Sequence, residues 1–312
     1  SAMVLLGVMV SVFPRFLPCL PWGSQYAIHL MLFYLATGMF MLVARQPRLT
    51  FVSFAGSLLL SFFLKYAMND KGIDYLRQTV IRGKSSITSI SWAPTTKLAH
   101  VNLSNVNSPE ELMELTRSSQ ADILSLQEVT PGWTSWLADS MKIIYPHAHV
   151  MQDLGIFGMA IFSKYKIEAV DTVFFEEIPT LKVGLNIGGY DMSLVSVHTE
   201  PALNEYSLGR LRQHLSAVED LLRECEDPAL VFGDFNAVNW SEEIRSFIQE
   251  TDLMSSRSGF MTSGFPPNVP LNHIFYSRHF TCIGFNVLRS PASISRQLGI
   301  AGIYKFNANQ QQ

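Results

Sequence analysis

The sequence predicts a layered α/β domain that follows an apolar, helical N-terminal region. Three observations support this prediction. Apolar residues crowd into residues 1–68, strand-like and helix-like patterns alternate over residues 97–308, and polar residues stand at four predicted strand ends. Only 16% of the 312 residues are charged, against about 25% in an average soluble domain. Because the deficit falls in residues 1–68, the pattern excludes both a simple cytosolic enzyme and a transporter that spans the bilayer along its whole length.

Two runs in the N-terminal region are long enough to cross a bilayer. Residues 26–44 contain no Asp, Glu, Lys or Arg, and residues 49–68 contain only Lys65, close enough to the end for its ammonium to reach the interface. About 20 helical residues span a hydrocarbon core of about 30 Å. Two such runs in close succession favour membrane spans over buried core helices. A shorter apolar run, residues 3–13, leaves the number of spans at two or three.

The basic residues around these runs give the orientation. The turn between the two long runs holds Arg45 and Arg48, which the positive-inside rule places in the cytoplasm. The second span then delivers the rest of the chain to the opposite side. Four basic residues within residues 71–84 favour the reverse orientation. We predict a multi-pass membrane protein with an extracytoplasmic domain. The lipid bilayer is its predicted partner.

Residues 69–96 are predicted to be a linker, and residues 97–308 the α/β domain. Ser108, followed by proline and by Glu111 three residues on, forms a capping box that starts a helix. Leucines at helical spacing predict a long helix over residues 206–225. The predicted strands are residues 98–103, 121–127, 157–163, 192–198, 229–232 and, at the end, 299–306. Strands interleaved with helices indicate a layered α/β domain.

The polar residues at the strand ends are the candidate site. Asn102 lies near the end of the first strand, Glu128 follows LSLQ, His198 ends LVSVH, and Asp234 and Asn236 belong to GDFN. One carboxylate after a strand is usually a cap, but α/β domains build their sites at strand ends. Hydrolysis of a phosphodiester needs a hard cation on a carboxylate, donors for the phosphoryl oxygens and a base. Glu128 is the candidate metal ligand, and His198 and Asn236 are the candidate donors.

These motifs, in this order, resemble the endonuclease/exonuclease/phosphatase superfamily, the DNase-I-like metal-dependent phosphodiesterases. The resemblance covers residues 97–306 and is strongest to a bacterial branch with N-terminal transmembrane helices. It implies a four-layered α/β sandwich and a bacterial inner-membrane location. It further implies Mg²⁺ on Glu128, with Asn102 near the metal. His198 and Asn236 would hold the phosphate and Asp234 would orient the nucleophile.

Three positions depart from the family pattern. Asn272 stands where the family has the aspartate that orients the catalytic histidine. Arg296 stands in place of a metal-ligand aspartate, and Gln297 in place of the histidine itself. Glutamine accepts no proton near neutral pH, so a factor of about 10²–10⁴ in rate is lost. A guanidinium about 4 Å from a dication costs several kcal/mol at an effective dielectric constant near 20. We therefore expect Arg296 either to pair with Glu128 or to offer its guanidinium to a phosphate.

Three histidines are the alternatives to the missing base. We expect His273 to point away from the site because it follows the inward-facing position of its strand. We expect His147 and His149 at the surface. Cys225 and Cys282 could form one disulfide outside the cytosol.

Two functional hypotheses follow. The first is a degenerate member of the superfamily that binds an anionic phosphate ligand or a protein partner at the membrane. The second is an active Mg²⁺-dependent phosphodiesterase or phosphatase on a lipid head group, a nucleotide or a nucleic acid. The formal net charge of −3 gives no strong signal for nucleic acid, which needs a basic face. A purely structural membrane protein is disfavoured because so many motifs occur in order.

Overall fold

The structure is a computed structural model that describes residues 7–8, 21–67, 93–257, 268–290 and 293–307. The predicted linker, residues 69–96, and the short apolar run, residues 3–13, lie mostly outside the described residues. A third span therefore stays a prediction.

The N-terminal region folds as a helical hairpin. Helix α1 comprises Ala27–Val43 and helix α2 comprises Pro47–Ala67. Arg45 between them has a φ of 54°, and Pro47 occupies the first turn of α2, where its missing N–H costs nothing. The helices are long and apolar enough to cross a membrane. Their exposed apolar side chains include Phe33, Met39, Phe40, Leu42, Phe51, Leu58, Leu59 and Phe62.

The rest of the chain forms two six-stranded sheets. The first sheet contains β1 Thr95–Asn102, β2 Ile123–Gln127, β3 His147–Met151, β4 Met159–Ser163, β11 Phe280–Ser290 and β12 Ser293–Phe306, in the order β11-β12-β1-β2-β4-β3. The second contains β5 Ile167–Phe175, β6 Ile178–Ile187, β7 Tyr190–His198, β8 Ala229–Asp234, β9 Met254–Ser255 and β10 Asn272–Tyr276, in the order β5-β6-β7-β8-β10-β9. Each sheet has one parallel pair, β1 with β2 and β7 with β8.

Four helices cover the outer faces of the sheets. Helices α3 Pro109–Ser119 and α4 Pro131–Ser140 pack on the first sheet, and α5 Glu205–Arg223 and α6 Glu242–Thr251 pack on the second. A third apolar cluster fills the space between the sheets. The order helix, sheet, sheet, helix confirms the predicted four-layered α/β sandwich.

The predicted boundaries hold to within a few residues where the sequence signals were strong. Ser108 accepts a hydrogen bond from the Glu111 N–H and begins α3 as predicted. The final strand begins at Ser293 rather than at residue 299 because it extends into a hairpin with β11. Cys225 and Cys282 are both free thiols, so the disulfide left open by the sequence is not formed.

Strand register brings the candidate residues to one edge of the sandwich. Asn102 pairs with Gln127 in the first sheet, and in the second sheet Asp234 lies between His198 and Asn272. Strand β12 is antiparallel to β1, so its first residues lie beyond the end of β1 at the same edge.

The open end of the hairpin packs against this edge of the sandwich. Ala27, Ile28, Leu64 and Ala67 form a buried cluster with Val238 and Trp240, which follow β8. We call this contact the hairpin interface. It joins the two apolar helices directly to the loop that contains GDFN.

Candidate active site

A layer of polar side chains lies between the sheets at the edge where the strands end. Its centre is Gln127, which is fully buried. Gln127 Oε1 accepts the Asp234 N–H at 3.0 Å, and Nε2 donates to Val197 O at 2.9 Å and to Ser196 Oγ at 3.2 Å. One amide side chain of the first sheet therefore fixes β7 and β8 of the second sheet. Gln127 belongs to no motif in the sequence, although alternation along β2 indicates that it shares a face with Ile123.

The glycine of GDFN makes this approach possible. Gly233 has a φ of 143°, and a Cβ there would lie 1.9 Å from Val197 O and 2.7 Å from Gln127 Nε2. Any side chain would separate β7 from β8 and displace the amide of Gln127.

Glu128 stands directly after β2 with a φ of 60°. Its Oε1 accepts a hydrogen bond of 2.7 Å from Asn102 Nδ2. Asn102 Oδ1 in turn accepts from Ser104 N at 3.0 Å and from Ser104 Oγ at 2.8 Å. The Asn102 amide is thus oriented with its donors towards Glu128 and its oxygen already engaged.

His198, which is buried, and Asp234, which is half-buried, lie side by side next to Glu128. Burial lowers the pKa of His198, and the charges of Asp234 and Glu128 oppose this effect. Burial raises the pKa of Asp234, against the effect of His198. The His198 ring also lies edge-on to Phe157, with 5.6 Å between centroids. Burial therefore favours the neutral forms of both side chains.

Asn236 lies in the left-handed region with a φ of 48°, which asparagine tolerates better than most residues. Two local hydrogen bonds fix it: its N–H donates to Asp234 Oδ1 at 3.0 Å, and its Nδ2 donates to Thr199 O at 2.6 Å. Its own carbonyl accepts a bond of 3.2 Å from Gln25 Nε2, just before α1. The hairpin therefore contacts the GDFN loop at a candidate phosphate-binding residue.

Asn272, at the first position of β10, is bonded to a histidine that the sequence analysis did not consider. His100 Nε2 lies 3.1 Å from Asn272 Oδ1, and His100 Nδ1 lies 3.2 Å from Ser125 Oγ. Because the amide oxygen only accepts, the proton is on Nε2, and Nδ1 accepts from the serine. Burial lowers the pKa of His100 to about 3, although Asn272 opposes this shift. His100 is therefore a neutral residue between the sheets, two positions before Asn102 on the same face of β1.

The prediction that Arg296 pairs with Glu128 is wrong. Arg296 forms an ion pair with Glu111 and donates to Asn105 O at 2.9 Å and Ser290 Oγ at 2.9 Å. The reason is geometric: residue 296 lies beyond the end of β1 and reaches across the following loop to the first turn of α3. Glu111 is there, with its side chain 10% exposed.

The other substituted positions hold no base. Gln297 lies in β12 opposite Arg289. His273 points away from the site as expected: it is buried against Phe235 and Phe275, and its Nε2 lies 2.7 Å from Ala237 O. The remaining two candidates, His147 and His149, are partly exposed on the edge strand β3.

The donor set is a poor fit for a tightly held Mg²⁺. Among the described residues no group of three or more His, Cys, Asp or Glu side chains is arranged to hold a metal ion. Glu128 offers a carboxylate, but Asn102 Oδ1 is engaged by Ser104, and Arg296, at the position where the resemblance implies a further aspartate, offers none. Mg²⁺ demands near-octahedral oxygen coordination, and these residues supply little of it.

The chain belongs to the Endonuclease/Exonuclease/phosphatase family, whose model matches residues 102–296. Members of this family generally depend on a divalent metal. No curated protein matches the sequence.

Solved structures share the fold at low sequence identity. An endonuclease/exonuclease/phosphatase from Beutenbergia cavernae is 15% identical, with a TM-score of 0.56 over 68% of this chain and 72% of that one. Humanized D. rerio TDP2 is 14% identical, with a TM-score of 0.55 over 68% and 99%. The human Nocturnin catalytic domain with bound sulfate anion is 17% identical, with a TM-score of 0.52 over 69% and 94%.

Proposed function

We propose that this chain is a membrane-anchored member of the family whose site binds a phosphorylated ligand and whose hydrolytic machinery is degenerate. The observation that supports the proposal most strongly is the bond between Asn272 Oδ1 and His100 Nε2. In an active member this position would hold a carboxylate that orients a catalytic base. Here it is an amide that accepts a hydrogen bond from a buried neutral imidazole.

The positions of the histidines support the loss of the base. All eight histidines of the sequence fall within the described residues. His198 lies at the GDFN edge but is only 2% exposed, and the resemblance assigns it to the phosphate. Without a base of suitable pKa that reaches water, a factor of about 10²–10⁴ in rate is missing.

The groups that would hold a phosphate are retained. Asn236, which is half-buried, lies at the same edge as Asn102 and His198, where the resemblance places the phosphate contacts. Because His198 is buried, we assign the direct contact to Asn236. The presence of Asn236 supports retention of binding after loss of hydrolysis.

The apolar hairpin supports membrane attachment. Both helices expose large apolar side chains along their length, and exposed apolar surface of this extent indicates contact with lipid or with a partner. This supports the proposal that the two helices are membrane spans, and the resemblance implies that the membrane is the bacterial inner membrane.

An active enzyme is the second candidate, favoured by one observation. Arg296 pairs with Glu111 and not with Glu128, so the Glu128 carboxylate is not neutralised by the guanidinium. A loosely held Mg²⁺ on Glu128 would then support slow phosphodiester or phosphomonoester hydrolysis.

Activity measurements on the full chain in maltoside micelles separate these candidates. We expect no Mg²⁺-dependent hydrolysis above background on a panel of phosphodiesters and phosphomonoesters. The double substitution Asn272→Asp/Gln297→His should raise the rate by about 10² or more. Adding Arg296→Asp should raise the rate further if the new carboxylate binds the metal ion. Glu128→Ala in the double variant is the matched control and should abolish the gain.

Two results would reject degeneracy. One is wild-type hydrolysis that EDTA and Glu128→Ala both remove, which would establish the active enzyme. The other is a triple variant Asn272→Asp/Arg296→Asp/Gln297→His that is folded, as judged by its unfolding midpoint, and remains inert.

A further inference from the structure

The hairpin contacts the loop that carries Asn236 through two long-range hydrogen bonds. Gln25 Nε2 donates to Asn236 O at 3.2 Å, and Trp240 Nε1 donates to Ser24 O at 2.6 Å. Trp240 is 1% exposed, so its bond is shielded from water. Both bonds join the residues just before α1 to the residues just after β8.

Burial along the hairpin differs between its two ends. At the open end Ala27 and Leu64 are 0% exposed and lie in the hairpin interface. Towards the turn Phe40 is 67% exposed and Phe51 is 75% exposed. The protein covers the open end, whereas the opposite part needs lipid to cover it.

With the hairpin embedded in a bilayer as proposed, these contacts set the depth of the site. The 17 residues of α1 rise about 26 Å at about 1.5 Å per residue, close to a hydrocarbon core of about 30 Å. Gln25 lies near the first residue of the candidate span Gly23–Val43, where the hydrocarbon core would meet the head-group layer, which is about 5–8 Å thick on each side. Because Gln25 is bonded to Asn236, the edge of the candidate site lies at the same depth.

We infer that the ligand of this site is the phosphorylated head group of a membrane lipid, taken from the bilayer in which the hairpin is embedded. This inference rests on the proposed phosphate-binding function. A ligand that arrives from water gains nothing from a site joined to the membrane-proximal end of two spans. A lipid phosphate already stands at this depth, and its confinement to the membrane raises its effective concentration at the site.

The shift in thermal unfolding midpoint on adding ligand tests this inference on the full chain. The protein is held in dodecyl maltoside micelles, which contain no phosphate. One series adds phosphatidylglycerol, a second adds glycerophosphoglycerol, which is the same head group without acyl chains, and a third adds diacylglycerol, which lacks the phosphate. Binding to the folded state raises the midpoint. We expect phosphatidylglycerol to reach its half-maximal shift at about 100-fold lower total concentration than glycerophosphoglycerol, and diacylglycerol to give no shift.

Three variants locate the binding. Asn236→Gly removes the side-chain donor and tolerates the left-handed backbone, so the shift with phosphatidylglycerol should vanish while the protein stays folded. Gln25→Ala removes the bond from the hairpin and should weaken phosphatidylglycerol about fivefold. Gln46→Ala makes the same chemical change at the exposed turn, on the other end of the hairpin, and should leave the affinity unchanged.

The outcomes separate the two proposals. Equal half-maximal concentrations for phosphatidylglycerol and glycerophosphoglycerol, both abolished by Asn236→Gly, would keep the phosphate site and overturn the lipid source. A phosphatidylglycerol shift that persists in Asn236→Gly would show lipid bound around the helices and would also overturn the inference. No shift with either phosphate compound would overturn the proposed function itself.

Discussion

Three of the four buried histidines make the protein sensitive to acid at the level of single residues. At the fourth, His198, the charges of Asp234 and Glu128 oppose the effect of burial on the pKa. Burial lowers the pKa of His100 and of His273 to about 3 each, and that of His214 to about 4. The unfolded chain has histidine pKa values of about 6.5. Between these values the unfolded state binds more protons than the folded state, so stability is full above about pH 6.5 and falls as the pH drops.

We expect the free energy of unfolding to fall by up to about 4 kcal/mol per pH unit near pH 5, about 1.4 kcal/mol for each of the three groups. Urea unfolding of the full chain in maltoside micelles between pH 4.5 and pH 8 measures this slope. His273→Phe, which places an apolar ring between Phe235 and Phe275, should reduce the slope by about 1.4 kcal/mol per pH unit. An unchanged slope in a folded His273→Phe protein would show that His273 is not buried in its neutral form.

The candidate site was only partly predictable at this scale. Asn102, Glu128, His198 and Asp234 meet because each lies at a strand end, and strand ends are visible as transitions from apolar to polar sequence. The partner of Arg296 was not predictable, because Glu111 belongs to a helix about 185 residues earlier and local pattern carries no information about that distance. His100 and Gln127 lie within apolar strands and belong to no motif. Their spacing of two residues from inward-facing positions nevertheless predicts that they face the space between the sheets.

At the scale of elements, Gln127 joins the two sheets where their apolar contact ends. Its three hydrogen bonds reach Ser196, Val197 and Asp234. An apolar side chain of similar length would leave the Asp234 N–H and the Val197 carbonyl buried without partners, at about 1–3 kcal/mol each.

We expect Gln127→Met to lower the free energy of unfolding by about 3 kcal/mol. Gln213→Met, at an exposed position of α5, is the matched control and should change it by less than about 0.5 kcal/mol. Urea unfolding at pH 7.5 measures both. A Gln127→Met protein as stable as the control would show that the hydrogen bonds across the sheets contribute nothing to stability.

Elements with strong local signals were predictable and edge elements were not. The capping box of α3, the leucine spacing of α5 and the apolar central strands each carry their own pattern. The hairpin of β5 and β6 turns through Glu176, with a φ of 54°, and lacks the Asn-Gly or Gly-rich signal of a tight turn. Strand β9 has two residues, too few for any periodicity. Their pairing is decided by neighbouring strands rather than by their own sequence.

At the scale of the whole molecule, the two apolar helices belong to the architecture of the site. The hairpin interface buries Trp240 and places Gln25 against the GDFN loop. A separate tether would have needed no such contacts. The sequence distinguished an apolar region from a polar domain, but it did not indicate that the two regions are in contact. The contact depends on the three-dimensional positions of the helix termini and of the residues after β8, which no local pattern encodes.

The arrangement of the hairpin and the domain also predicts on which side of the membrane the domain lies. The start of α1 and the end of α2 both contact the domain, and the turn that contains Arg45 and Gln46 lies at the opposite end of the hairpin. The positive-inside rule places that turn in the cytoplasm and the domain outside it. With the three native cysteines changed to serine, Glu226→Cys and Gln46→Cys each introduce one thiol at an exposed position. In intact cells of a Gram-negative host, a maleimide that does not cross the inner membrane should label Glu226→Cys and should label Gln46→Cys only after the membrane is disrupted. The reverse pattern would place the domain in the cytoplasm and show that the basic residues after α2, and not those of the turn, decide the orientation.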